Sequence, residues 1–260
     1  ASHCHLLKRA GATFAILFCL ICGLACTHTP SSPPEKRELS NQFYGNLLRA
    51  FAARDYALVK TGLQKIEEAG IEDKRTLYLK AMVALIEKRP EDAITALKAA
   101  LVSDPEYGEA HNTLGSIYMQ QKRYAEAETE FINACNNVLY QTPEKAYLNL
   151  GKLYQLQNKN EQAQGCYLKA TTINPDYFPS HYELCSLYIN LNKFELAAQE
   201  AEKARQISPD HPGVWFQIGE IEIAQQNDNA AIEAFKQVLK LQPNGSFANL
   251  ATKQLNLLTK

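Results

Sequence analysis

Residues His111 to Tyr154 read HNTLGSIYMQQKRYAEAETEFINACNNVLYQTPEKAYLNLGKLY. Working outward from Gly115 and Gly151 in this stretch, and placing them with Gly219 at position 8 of a 34-residue unit, the chain falls into six units. They start at Ser40, Lys74, Gly108, Glu144, Phe178 and Pro212, with one break in register, two extra residues between the third and fourth units. Position 8 is then Leu47, Ala81, Gly115, Gly151, Cys185 and Gly219. Position 20 is Val59, Ala93, Ala127, Ala163, Ala197 and Ala231. Position 27 is Ile66, Ala100, Ala134, Ala170, Ala204 and Val238. Proline stands at position 32 in four units, as Pro105, Pro175, Pro209 and Pro243. A period of this length is the signature of stacked supersecondary units.

Each recurrence has a physical reason. Small residues at positions 8 and 20 let two helices of a hairpin approach closely. Larger ones at 4, 7, 11 and 24, such as Trp215, Leu114, Tyr118, Phe131, Tyr167 and Phe235, fill the space around them. Proline at 32 stops the second helix, because it lacks an N–H and clashes with the preceding turn. The pattern resembles the tetratricopeptide repeat. The expected fold is all-α, a right-handed superhelix of six helix hairpins at 40–73, 74–107, 108–141, 144–177, 178–211 and 212–245. Residues 246–260 are expected to form a capping helix over the last apolar face. The first unit departs from the pattern, with Leu47 where a small residue belongs.

Composition agrees with helices. The 260 residues carry 46% apolar and 21% charged side chains, with only 12 glycines and 11 prolines. Long stretches are rich in the good helix formers Ala, Leu, Glu, Lys and Gln. With 27 basic and 28 acidic residues, no field attracts nucleic acid, and no nucleic-acid partner is expected.

The first 39 residues differ from the rest. Lys8 and Arg9 precede an uncharged, mostly apolar run from Ala10 to Ala25, short for a membrane span but suited to a secretory leader. It ends Gly23-Leu24-Ala25-Cys26, which resembles a bacterial lipobox, with Leu24 two places before the cysteine rather than three. The resemblance implies a signal peptide at 1–25 and lipidation of Cys26; an uncleaved anchor and ordinary secretory cleavage are the alternatives. Thr27 in place of Asp after the cysteine then implies the outer membrane, on its periplasmic face. Residues 26–39, rich in Pro, Ser and charge, are expected to be a flexible tether.

Sequence signatures of chemistry do not occur: no glycine-rich phosphate loop, paired-histidine zinc motif or nucleophile elbow is found. Neither enzymatic activity, a cofactor nor a small-molecule substrate is expected. His181 and Cys185 lie i, i+4, a spacing a metal could use, but both fall at core positions and read as packing. Cys19 and Cys22 lie inside the leader. The later cysteines, Cys135, Cys166 and Cys185, lie in different repeats and give no spacing that demands a bridge even in an oxidising compartment; a Cys166–Cys185 bond is the alternative to free thiols.

Positions 2, 5, 9 and 12 of each first helix share a face distinct from the hairpin interface and are expected to line a groove. That set holds Tyr44, Leu48 and Phe51, then Tyr78, Met82 and Leu85, then Asn112 and Met119, followed by Leu148, Tyr182, Ile189, Phe216 and Ile223. Ser116, Lys152, Ser186 and Glu220 interleave only in later repeats. An exposed apolar and aromatic strip fits a partner helix or extended segment. The Lys/Asn/Arg set of carboxylate-clamp repeats is missing.

The junction Asn137-Val138-Leu139-Tyr140-Gln141-Thr142-Pro143-Glu144-Lys145-Ala146-Tyr147, followed by Asn149-Leu150-Gly151, resembles the type IV pilus pilotin family (PilF, PilW and Tgl proteins). In that family an LY-x-TP segment, here Leu139, Tyr140, Thr142 and Pro143, replaces the usual junction. The resemblance implies an outer-membrane lipoprotein that binds the pilus secretin and promotes its localisation or multimerisation. A generic envelope adaptor serving peptidoglycan or outer-membrane assembly machinery would share every feature except this junction.

Overall fold

The structure, a computed structural model, describes the backbone of residues 34–259 and the side chains from Asn41 onward. Cys26 and the leader lie outside the described residues. Among those described, every regular element is a helix. They divide into two compact units, one ending at Ile71 and one beginning at Glu72.

The first unit holds α1 (Pro34–Ala52) and α2 (Tyr56–Glu68), packed as a hairpin. Residues 34–39, expected in the tether, belong instead to α1: Pro34 occupies its first turn, and Glu35, Lys36, Arg37, Glu38 and Leu39 are good helix formers. Asp55 caps α2, its Oδ1 accepting from the Leu58 N–H at 3.0 Å.

The second unit holds five hairpins and a final helix. The pairs are α3 (Lys74–Ile86) with α4 (Pro90–Ser103), and α5 (Gly108–Gln120) with α6 (Tyr124–Asn136). They continue with α7 (Pro143–Leu156) and α8 (Asn160–Ile173), α9 (Phe178–Asn190) and α10 (Phe194–Ile207), and α11 (Pro212–Ala224) and α12 (Asp228–Leu241). Helix α13 (Ser246–Leu258) follows and packs on α12. Asp73 starts α3 with a capping box: its Oδ1 accepts from the Thr76 N–H at 3.0 Å, and Thr76 Oγ1 accepts from the Asp73 N–H at 2.9 Å. Helices α4, α8, α10 and α12 end two residues before Pro105, Pro175, Pro209 and Pro243, as steric exclusion before proline requires.

Every residue at positions 8, 20 and 27 is buried, and most are fully so. One apolar core runs from Ala81 through Leu114, Phe131, Leu153, Tyr167 and Leu187 to Ile221, so each hairpin completes its neighbour's core. Phe247, Leu255 and Leu258 of α13 cover Phe216, Phe235 and Val238 at the end of the row.

The turn inside each hairpin has a feature with no counterpart in the sequence pattern. Position 15 is left-handed in all six: Arg54, Lys88, Lys122, Asn158, Asn192 and Gln226 have φ between 56° and 62°. Each ends its first helix as a Schellman turn; in the second hairpin the Arg89 N–H donates to the Ala84 carbonyl at 2.8 Å and the Lys88 N–H to Leu85 at 3.0 Å. That double bond to otherwise orphaned carbonyls holds non-glycine residues in a conformation that costs them about 1 kcal/mol.

Candidate partner-binding surface

The first helices of the second unit present positions 5, 6, 9 and 12 on one face. The structure divides the expected strip. Leu148 and Phe216 are buried, Phe216 against Phe235 of its own hairpin and Phe247 of α13. Tyr78 shares a hydrogen bond with Thr113 Oγ1 at 3.2 Å, and its ring meets Tyr107 edge-on at 5.6 Å. Met82, Leu85, Met119 and Ile189 are half-buried; Leu85, Met119 and Ile189 rest on the main core with an edge left outside. In the first unit, Tyr44 and Phe51 are half-buried and Leu48 is 43% exposed, with Phe51 edge-on to Tyr56.

The polar members of the face are tied across repeats. Asn149 Nδ2 donates to Asn112 Oδ1 at 2.9 Å, and Lys152 Nζ lies 2.9 Å from Glu183 Oε1. Gln217 Nε2 donates to the Tyr182 carbonyl at 3.1 Å. These bonds run from α5 to α7, α7 to α9 and α9 to α11, and they fix the spacing of the face.

The junction divides as well. Val138 and Leu139 are 95% and 76% exposed, whereas Tyr140 is buried with Ala134 and Ala146. Asn137 locks the extra residues in place: its Oδ1 accepts from the Leu139 N–H at 2.7 Å, and its Nδ2 donates to the Glu106 carbonyl. The Tyr140 ring lies where a Cβ on Gly108 would stand, 2.6 Å from its Cγ, so Gly108 is what admits it. Thr142 and Pro143 start α7. Val138 and Leu139 are therefore the exposed apolar side chains of the junction, beside the exposed Gln141 and Lys145, and Tyr140 is structural.

Position 4 carries an arrangement that sequence reasoning missed. His111 Nε2 lies 2.9 Å from the Pro105 carbonyl and Nδ1 2.6 Å from Glu130 Oε2. His181 repeats this with Pro175 at 2.8 Å and Glu200 at 2.6 Å. Trp215 Nε1 donates to the Pro209 carbonyl at 2.7 Å from the same position. Each ties a first helix to the proline turn before it. Burial alone would lower His111, but the Glu130 hydrogen bond, the Pro105 carbonyl and the nearby carboxylates carry it above its ordinary value. Burial likewise pushes Glu200 upward, and hydrogen bonds from His181 and Lys203 outweigh it and hold the carboxyl low. The available signal was a His followed by Glu nineteen residues later, occurring twice. His181 thus has both ring nitrogens engaged by its own fold and none directed at Cys185.

Cys135, Cys166 and Cys185 are free thiols, and the Cys166–Cys185 bridge is not formed. Burial pushes them up to about 12, about 11 and about 12, which leaves them protonated and unreactive at neutral pH. Among the described residues, no three His, Cys, Asp or Glu side chains converge as a metal site, and no helix is long and apolar enough to cross a membrane.

This architecture agrees with the known families it resembles. Three family models, each described as tetratricopeptide repeat, match residues 78–134, 144–177 and 191–253. The chain is a tetratricopeptide-repeat protein. Among curated relatives, it is 24% identical over 176 residues to the tetratricopeptide repeat-containing protein trd-1 of Caenorhabditis elegans, covering 62% of this chain and 22% of that one. The chain spans about a fifth of the length of the first such relatives. It is 27% identical over 119 residues to the type IV pilus assembly protein PilF of Pseudomonas aeruginosa, covering 46% of this chain and 47% of PilF. The solved structure of P. aeruginosa PilF superposes with a TM-score of 0.76 at 20% identity, covering 86% of this chain and 99% of that one. That of PilW, a type IV pilus biogenesis factor, superposes at 0.72 and 19% identity, covering 85% and 99%. At these identities the superpositions show a shared fold.

Proposed function

We propose that this protein is a non-catalytic scaffold of type IV pilus assembly that holds a segment of the pilus secretin and promotes its localisation and multimerisation. The observation that carries this reading is the Leu139–Pro143 junction, whose two extra residues resemble the pilotin family's junction. The likeness to PilF in sequence, and to PilF and PilW in fold, supports it. Lipidation of Cys26 would hold the repeats at the periplasmic face of the outer membrane, behind a short tether. Confinement there raises the local concentration of the captured segment, so assembly is favoured without any covalent step.

In each unit, taken by itself, the proposed partner surface is the apolar side of the first helices. Leu48 and Phe51 on α1, with Tyr44, are its accessible apolar members in the first unit. Met82, Leu85 and Met119 offer the half-buried edge in the second. Tyr78 and Asn112 contribute by holding that edge in place, given their bonds to Thr113 and Asn149.

Deleting the gene should abolish heat-resistant secretin multimers and surface pili, and the wild-type gene should restore both. Truncated apolar anchors often cost about 2 kcal/mol each, so Leu48→Ala with Phe51→Ala should weaken secretin capture roughly a hundredfold or more at an unchanged expression level. Cys26→Ala should move the protein out of outer-membrane fractions. Multimers and pili that persist without the gene would leave the generic envelope adaptor as the better reading.

A further inference from the structure

The polar ladder along the first helices pairs Asn149 with Asn112 and Lys152 with Glu183, and in α11 it reaches acceptors that lack a donor. Glu220 occupies position 9 there, the place that Lys152 fills in α7 with Glu183 as its partner. It is half-buried and is given no hydrogen bond or ion pair by any described residue, so burial alone pushes its carboxyl upward. One turn earlier on the same face, Gln217 is only 5% exposed, and its Oε1 has no hydrogen-bond partner among the described residues. Its amide nitrogen is spent on the Tyr182 carbonyl of α9 at 3.1 Å.

A half-buried carboxylate without a donor and a buried amide oxygen without one are both costly, because each has given up water and gained nothing in return. Residues three apart on a helix lie side by side, so the buried amide oxygen sits beside the more accessible carboxylate and adds to its pull on a donor. The group that suits two acceptors and no donor is a multi-donor cation. An ammonium brings three N–H groups and a guanidinium five, whereas a backbone amide brings one.

We propose that Glu220, backed by Gln217, forms a subsite in the last repeat that takes a lysine or arginine side chain from an extended segment of a protein partner. The subsite gives the face a fixed point that sets the partner's register, since a misplaced segment would leave the carboxylate unpaired. This rests on the reading that the first-helix face receives a partner segment, but not on which protein supplies it.

The test is selection of phage-displayed random 12-residue peptides on the immobilised full chain, followed by binding to Glu220→Gln and to Glu233→Gln, a charge control on α12. Glu220→Gln is isosteric, and its melting point should equal or exceed the wild type's. Selected peptides should share a Lys or Arg and bind Glu220→Gln about tenfold more weakly or worse, with no change on Glu233→Gln. Replacing that basic residue by Met should cost the same factor on the wild type and nothing on Glu220→Gln. Peptides without a basic residue, equal binding to Glu220→Gln, or no selectable peptide would each overturn the subsite. Peptides weakened by Leu85→Ala but indifferent to Glu220→Gln would overturn it while leaving the face itself as the partner surface, and secretin capture is decided separately by the Leu48 and Phe51 variants.

Discussion

The first hairpin and the three glycine-centred hairpins solve the same packing problem from opposite sides. In α5–α6, α7–α8 and α11–α12 the first helix supplies the gap and the second the bulk. A Cβ added to Gly115, Gly151 or Gly219 would stand 2.5–2.7 Å from the ring of Phe131, Tyr167 or Phe235, all fully buried. In α1–α2 the bulk is on the first helix: buried Leu47 fills position 8, and the gap moves to Gly62 on α2, whose added Cβ would meet Leu47 Cδ2 at 2.3 Å. The interhelical volume is conserved while its owner changes. The difference lies in what borders the gap, a locked ring in one case and the end of a rotatable side chain in the other.

The hardest test of that difference is Gly151→Leu. The new side chain would have to displace the Tyr167 ring, whose hydroxyl is also tied to Gln155 Oε1 at 2.9 Å. Overpacking of this kind in a rigid core should cost on the order of 3 kcal/mol, read as a fall in the urea midpoint. An unchanged midpoint would mean that Gly151 does not face Tyr167 and that the 34-residue register is misplaced.

A second contrast lies at position 4. The first hairpin has Phe43 there, while the third and fifth have His111 and His181, each held between a proline carbonyl and a glutamate. A carbonyl only accepts, and Glu130 accepts as well, so the protonated imidazole of His111 is the form that satisfies both. Because its value is raised on folding, this stabilisation is complete below the ordinary histidine value of about 6.5 and disappears as pH rises through the folded value. Glu200 has the opposite sign: its contribution is present above the ordinary glutamate value and lost as pH falls through its lowered one. His111→Gln should therefore cost about 1–3 kcal/mol at mildly acidic pH and progressively less on the alkaline side. Hydrogen exchange in α1–α2, which has no such histidine, should not follow that titration. A penalty for His111→Gln that stays constant with pH would show that the ring acts by packing alone.

These features were unequally legible. Small side chains at positions 8, 20 and 27 announced the hairpins because close helix approach leaves a mark on residue size. Position 15 left none, since Arg, Lys, Asn and Gln hold the left-handed turn there, and its cause is a pair of backbone hydrogen bonds independent of side-chain identity. The candidate surface was half legible. Helical spacing placed these residues on one side of the first helices, but it could not tell Leu48, which stays exposed, from Leu148 and Phe216, which are buried. Nor could it show that Tyr140 is swallowed by the space at Gly108, because that depends on how two inserted residues fold back.

The smallest expected effect sharpens the opening comparison most. Alanine should be tested at Gly62 and Gly151 in parallel, since the two glycines face equally short contacts yet differ in their surroundings. At Gly62 the near contact is one methyl, with Leu47 Cγ already at 3.4 Å and Cδ1 at 3.6 Å, so a rotation of the Leu47 end relieves it. Alanine also gains about 1 kcal/mol of helix propensity over glycine. The two terms nearly cancel, and Gly62→Ala should change stability by less than about 1 kcal/mol in either direction. At Gly151 three ring atoms of Tyr167 lie within 3.1 Å of the new carbon, and the ring cannot turn aside without losing Gln155. Gly151→Ala should therefore remain destabilising by about 1–3 kcal/mol despite the same gain in propensity. Equal urea midpoints for the two variants would break the comparison, because the first hairpin would then be as rigidly packed at Gly62 as the fourth is at Gly151.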